Sequence, residues 1–105
     1  MSTKSTLHIV NHQPGNCSEE TSFLDGLTSG DGIILTENGV YWLTAKNFAD
    51  LQPAVNNGVK VHALTSDIQA RGLEHLIKTD EFFTQCDYVE FVELTTQYEN
   101  VVSWS

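Results

Sequence analysis

The stretch Leu7-His8-Ile9-Val10-Asn11-His12-Gln13-Pro14-Gly15-Asn16-Cys17-Ser18-Glu19-Glu20 decides how the rest of this chain is read. Leu7 to Val10 is a short apolar run of strand-forming residues, and Asn11 to Gly15, with Pro14, is a polar loop. Asn16 is then a good helix N-cap, and Glu19 three residues later completes a capping-box-like pattern. Phe23, Leu24 and Leu27 follow at helical spacing, with Gly30 as a natural stop. Strand, loop and helix start in this order open an α/β sheet. Ligands of such sheets gather beyond the carboxyl ends of the strands, beside helix N-termini.

The rest of the chain repeats the alternation. Ile33-Ile34-Leu35 is a continuous apolar run, the mark of a strand covered on both faces. Glu37-Asn38-Gly39 reads as a turn. Val40 to Leu43 and Ala45 to Leu51 are expected to form one or two short helices, broken by Pro53 and Asn56-Asn57-Gly58. Val59, Val61 and Ala63 alternate with Lys60 and His62 as a third strand. Ser66 or Asp67 is expected to cap a short helix running to Arg71, which Gly72 ends. The pattern is weakest between Leu73 and Phe83, where a short strand is expected around residues 81–83. Asp87 and Glu90 repeat the capping logic before a final helix with an inner stripe of Tyr88, Phe91, Val92 and Thr95. Val101 to Trp104 closes the chain as the last strand. The expected architecture is a mostly parallel sheet with helices on both faces. It forms one α/β domain over residues 7–105, after a flexible lead of residues 1–6.

Composition bounds the function. At this length a domain buries roughly 60–70% of its unfolded surface, so apolar surface shared with other subunits is plausible. Lys and Arg number 5 against 14 Asp and Glu, a formal net charge of −9. So little positive charge argues against direct binding to a nucleic acid backbone. The acidity instead serves solubility or attraction to a basic partner. No run of about 20 apolar residues suits a membrane span, and the polar start Met1 to Thr6 lacks the apolar core of a signal peptide. The expected location is the cytoplasm, with Cys17 and Cys86 reduced. Asn16-Cys17-Ser18 therefore matches a glycosylation sequon by letter only.

Cys17 is the first candidate for chemistry. It stands at or beside the first position of the expected helix, where the helix dipole favours the thiolate needed to accept or pass sulfur. Glu19 and Glu20 follow at once and oppose that effect, and an incidental cysteine is the competing reading. His12 lies in the loop beside it and could assist, or could be a solvated loop histidine. Cys86 precedes the last helix, and no C-x-x-C pair exists. His8, His12, His62 and His75 have no metal-ligand spacing, and the cysteines are too few and too dispersed for zinc. No metal or cofactor is expected. Gly26, Gly30 and Gly32 do not fit a phosphate-cradling loop, and no G-x-S-x-G elbow is present. Trp42, Phe82 and Phe83 read as core residues, while Tyr41-Trp42 and Trp104 could equally anchor subunit contacts.

Several segments together resemble the DsrH-like (TusB) family. They are Leu7 to His12 with Pro14, Gly30 to Leu35, Asn38 to Tyr41, Val61 to Leu64, Asp67 to Leu73, and Tyr88 to Leu94 with Val102-Ser103-Trp104. The resemblance implies a three-layer α/β/α domain with a five-stranded parallel sheet of order 4-3-2-1-5. It also implies assembly with the homologous DsrE-like (TusD) and DsrF-like (TusC) subunits as a dimer of heterotrimers that relays persulfide sulfur. One branch passes sulfur from TusA towards TusE for 2-thiolation of the wobble uridine in certain tRNAs. The other serves sulfur oxidation with DsrC. The principal sulfur-carrying cysteine of the family belongs to the DsrE-like subunit. Sulfur-oxidiser members carry a cysteine in the first helix at a slot that falls at Phe23 here, so no family role is carried over to Cys17. The resemblance implies a mainly structural subunit, favouring the tRNA branch.

Overall fold

The structure, a computed structural model, describes residues 5–13, 24, 26–75 and 83–104. Its strands are β1 (Thr6–Val10), β2 (Gly32–Leu35), β3 (Lys60–Leu64), β4 (Thr84–Cys86) and β5 (Asn100–Trp104). All pairings are parallel, in the order β4-β3-β2-β1-β5. Among the described residues the elements between the strands include a 3-10 helix (Glu37–Leu43) and the α-helices α1 (Ala45–Phe48), α2 (Gln52–Asn56), α3 (Thr65–Ala70) and α4 (Tyr88–Gln97). The expected five-stranded parallel sheet and its strand order are both met.

The order dictates the layers. Parallel strands are joined by right-handed crossovers. The steps from β2 to β3 and from β3 to β4 run one way across the sheet, so their helices share one face. The return from β4 to β5 runs the other way and puts α4 on the opposite face. The core divides accordingly. Val10, Ile33, Leu35, Val61 and Ala63 pack with Val40, Trp42, Leu43, Leu51 and Ile68 on the thick side. Leu7, Ile34, Leu64 and Cys86 form a smaller cluster under Phe91, Leu94 and Tyr98 of the α4 region. Ile33, Ile34 and Leu35 are fully buried, as the unbroken apolar run required. Each such burial stabilises the fold by about 1.5–3 kcal/mol relative to exposure.

Several local expectations are corrected. Glu37-Asn38-Gly39 is not a free-standing turn but the first part of the 3-10 helix. Pro53 does not break the helical region; it sits in the first turn of α2, where its missing N–H costs no helical hydrogen bond. Neither Ser66 nor Asp67 caps α3, which begins at Thr65 behind Leu64 without a side-chain cap. A strand is present at Thr84–Cys86; of the strand expected at 81–83, Phe83 is not in a strand, and Glu81 and Phe82 lie outside the described residues. The inner side of the last helix is carried by Phe91 and Leu94, continued by Tyr98, while Tyr88 and Val92 face outward at 68% and 49% exposure. The capping box of that helix is present as read, with Asp87 Oδ1 accepting from the Glu90 N–H at 2.8 Å and Glu90 Oε1 from the Asp87 N–H at 2.9 Å. Of the expected first helix, Leu24 is helical and Gly30 has φ of 98°. Asn16, Cys17, Glu19 and Phe23 lie outside the described residues.

Gly39 is the tightest joint between the 3-10 helix and the sheet. A Cβ there would collide with the carbonyl oxygen of Val10 at the end of β1. That carbonyl also accepts the Thr36 N–H at 3.0 Å, so it cannot move aside without breaking the bridge to the end of β2. Gly39→Ala should therefore cost about 1–3 kcal/mol by overpacking. A thermal unfolding scan should show a midpoint lowered by at least ~5 °C; an unchanged midpoint would refute this close approach.

Candidate functional site

The site is built where β1, β2 and β5 meet. His8 lies in the middle of β1 on the thick side of the sheet, in a strand otherwise made of apolar residues and Thr6, and is buried. Trp104 ends β5 opposite Val10, so its ring leans over the same side. The two rings stack at 6.2 Å with 24° between their planes. The Trp104 indole Nε1–H donates to His8 Nδ1 at 3.0 Å. An indole nitrogen can only donate, so His8 Nδ1 carries a lone pair and the hydrogen sits on Nε2. From there His8 donates to Asp31 Oδ2 at 3.3 Å. The contact is thus a hydrogen bond from a neutral imidazole, not an ion pair.

Asp31 stands just before β2 and is buried at 4% exposure. Its carboxylate also accepts the Thr6 N–H at 3.1 Å on Oδ1 and the Thr28 N–H at 3.2 Å on Oδ2. Those donors satisfy a charge that would otherwise be costly to bury. Next to it, the Tyr98 hydroxyl occupies the space that a Cβ on Gly32 would need. Burial, and then the Asp31 charge, push the Tyr98 phenol above its ordinary value.

The network reaches the loop after β1. The Trp104 carbonyl accepts the Asn11 N–H at 3.4 Å and lies 3.3 Å from His12 Nδ1. A carbonyl only accepts, so His12 Nδ1 bears the hydrogen. Its Nε2 is shielded from solvent and without a hydrogen-bond partner among the described residues. The His12 carbonyl accepts the indole N–H of Trp42 at 3.1 Å. Trp42 is core, as read, and Trp104 is half-buried in this network. His12 is therefore a held residue, not a loosely solvated one.

A second polar group lies at the carboxyl ends of β2 and β3. Asp67 Oδ2 accepts the Glu37 N–H at 2.7 Å, holding Glu37 at a φ of 50°. Arg71 Nε donates to Asn38 Oδ1 at 2.9 Å, and its Nη1 lies 3.6 Å from Asp67 Oδ1. Asp67, expected to cap its own helix, instead caps the neighbouring one. The group joins the 3-10 helix to α3, and its partly exposed ion pair adds little stability.

Of the cysteines, only Cys86 is described. It is buried, and burial, then Glu90, then Asp87 push its thiol up to about 11. Such a thiol stays protonated and inert near neutral pH. His62, on the α4 side of β3, has its pKa lowered by burial and then by Lys60, and its Nε2 is buried without a partner among the described residues. No cluster of three or more His, Cys, Asp or Glu that could hold a metal occurs among the described residues. No helix among them is long and apolar enough to cross a membrane. Sequence reasoning missed the His8–Asp31–Trp104 network. Its signals were a histidine inside an apolar strand and an aspartate just ahead of one.

Comparison with known proteins gives a consistent answer. The family described as DsrH like protein matches residues 12–101. Protein TusB of Yersinia pestis (strain Pestoides F) is 32% identical over 98 residues, covering 93% of this chain and 99% of that protein. Protein TusB of Escherichia coli O81 (strain ED1a) matches to the same extent. Among solved structures, the ychN protein from E. coli superposes with a TM-score of 0.70 at 15% identity, over 97% of this chain and 100% of that one. Protein Tm0979 from Thermotoga maritima gives 0.61 at 25% identity, over 88% of this chain and 92% of that one.

Two outcomes test the geometry. Asp31→Asn keeps the size but places an NH2 group against donors from Thr6, Thr28 and His8, so at least one of them loses its acceptor. It should destabilise the fold by about 1–3 kcal/mol in urea unfolding, and a neutral result would contradict the network. For His62, the lowered folded pKa means that the unfolded chain takes up the proton first. Its contribution to stability is therefore present above the ordinary value of 6.5 and is lost as pH falls below it. The stability difference between wild type and His62→Gln should shift against the wild type on acidification through that range. A difference independent of pH would show that His62 is not held neutral.

Proposed function

This chain belongs to the DsrH-like protein family, and from that membership in sulfur-relay complexes we propose a TusB-like subunit acting in 2-thiolation of the tRNA wobble uridine. Its role is mainly structural: to assemble with TusC-type and TusD-type subunits in a dimer of heterotrimers and to help position the neighbour's sulfur-carrying cysteine. The complex would take sulfur from TusA and pass it to TusE, in the cytoplasm and without a cofactor on this chain. The observation that carries the structural role is the chemistry of Cys86. The described cysteine of this chain is buried, with its thiol pushed up to about 11, so it offers no thiolate to accept a persulfide. The 32% identity to proteins named TusB favours the tRNA branch over sulfur oxidation with DsrC.

One observation favours a second reading, in which Cys17 itself carries a persulfide. The Trp104 carbonyl holds His12 through Nδ1 and leaves Nε2 unpartnered among the described residues, five residues before Cys17 in the sequence, where it would serve as the base. In that reading the base draws the proton from the thiol, and the thiolate attacks the outer sulfur of a donor persulfide, releasing the donor as a thiol. The two readings separate by mass spectrometry. The protein is incubated with a persulfide donor under conditions that load a TusD-type subunit. The structural reading expects no gain of a sulfur atom on either cysteine, together with co-purification of the chain with both homologous subunits. A sulfur adduct on Cys17 that His12→Ala abolishes would replace it with the second reading. Free chain after co-expression would sink both.

A further inference from the structure

Helix α4 has an apolar side that the fold does not use. At about 100° per residue, Phe91, Leu94 and Thr95 share the sheet-facing side, Val89 and Thr96 fall roughly opposite, and Val92 and Tyr88 lie on the shoulder between them, the Tyr88 ring meeting Phe91 edge-on at 5.7 Å. The structure agrees: Phe91 and Leu94 pack on the inner cluster, whereas Tyr88 and Val89 are each 68% exposed and Val92 is 49% exposed. None of the ten residues of α4 is buried. A surface helix normally places polar residues opposite its apolar stripe. Here the apolar arc runs from the inner side over Tyr88 and Val92 to Val89, wider than the sheet alone covers.

The sheet beneath makes the same demand. Parallel sheets are covered on both faces, and five strands span about 19 Å at their usual spacing. On this side, among the described residues, the cover is one helix about 15 Å long. Val101 of β5, on the α4 side of the sheet beside Leu7, remains 43% exposed.

Charge selects the occupant. Beyond Lys78 the chain carries Asp80, Glu81, Asp87, Glu90, Glu93 and Glu99 but no Lys, Arg or His. Glu93 borders Val89 on the helix, and Asp87, Glu90 and Glu99 lie on α4 or within two residues of its ends; all four are exposed. Two copies of this face would bring like charges together, which disfavours a homodimer through it. An apolar centre ringed by Lys and Arg would complement it in both respects. We infer that the outer stripe Tyr88–Val89–Val92 of α4, with its acidic border, is the docking surface for a homologous subunit of the relay complex that presents an apolar patch rimmed by basic side chains.

The inference rests on the multi-subunit reading above, and its test separates the two. Val89→Lys with Val92→Lys places positive charge in the apolar stripe; both positions are exposed, so the unfolding midpoint of the isolated chain should stay at the wild-type value. Affinity for the homologous subunits, measured by titration with the full-length proteins, should fall at least ~10-fold. Glu93→Lys with Glu99→Lys should weaken the complex several-fold and flatten its dependence on salt between about 0.05 and 0.5 M. Wild-type affinity in both double variants, with the complex still formed, overturns the docking surface and leaves the subunit role standing. Failure of the wild-type chain to bind either homologue overturns both. A homodimer of the wild-type chain that V89K/V92K dissolves would also overturn the inference, because it would assign the face to a second copy.

Discussion

A single hydrogen-bond chain ties the ends of this molecule to its middle. The indole of Trp104 can only donate, which makes His8 an acceptor at Nδ1 and therefore a donor at Nε2, directed at Asp31. Asp31 in turn receives the backbone of Thr6 and Thr28. In one run of bonds the last strand, the first strand and the head of the second become a unit. Each member is satisfied, so the buried charge of Asp31 rigidifies the sheet rather than straining it. The loop after β1 inherits this rigidity, because the same Trp104 presents its carbonyl to Asn11 and His12.

The consequence is that the segment Asn11 to Gln13, which follows β1, departs from a fixed point. That segment lies at the carboxyl end of β1, where ligands of parallel α/β sheets gather. The contrast with Cys86 is instructive. A thiol at the end of β4 is no nearer to reactivity for being at the strand ends; burial and two carboxylates keep it protonated. Position in the sheet proposes a site, and local electrostatics decide whether it can react.

The two faces of the sheet are unequal, and this follows from strand order. Among the described residues, the helices of the β2–β3 and β3–β4 crossovers, the 3-10 helix included, lie on one side, and the helix of the return crossover supplies the other. The thick side closes a core around Trp42, Leu51 and Ile68. The thin side leaves a helix with no buried residue and an acidic outer border. The asymmetry of the topology thus becomes an asymmetry of surface, apolar and negatively charged where the fold is thinnest. That is the character of a subunit rather than of a self-contained domain.

Much of this was legible in the chain itself. The unbroken apolar run at Ile33 to Leu35, the alternation from Val59 to Ala63, the Asp87–Glu90 capping box and the final Val101 to Trp104 strand are local patterns. Local patterns survive because each depends only on neighbours a few residues away. The resemblance to a known family supplied the strand order, which local patterns do not contain. What only the tertiary structure decided has a common cause: the partner lies far along the chain. Asp67 caps the 3-10 helix rather than its own because Glu37, 30 residues earlier, presents an N–H to it. The inner side of α4 is Phe91 and Leu94 rather than Tyr88 and Val92, because the crossing over Leu7 and Ile34 sets which side faces inward. His8 acts as a relay and not as a solitary histidine because Trp104 reaches it across 96 positions. Residue type and spacing determined the elements of this protein, and contacts between distant elements determined which of its polar groups work together.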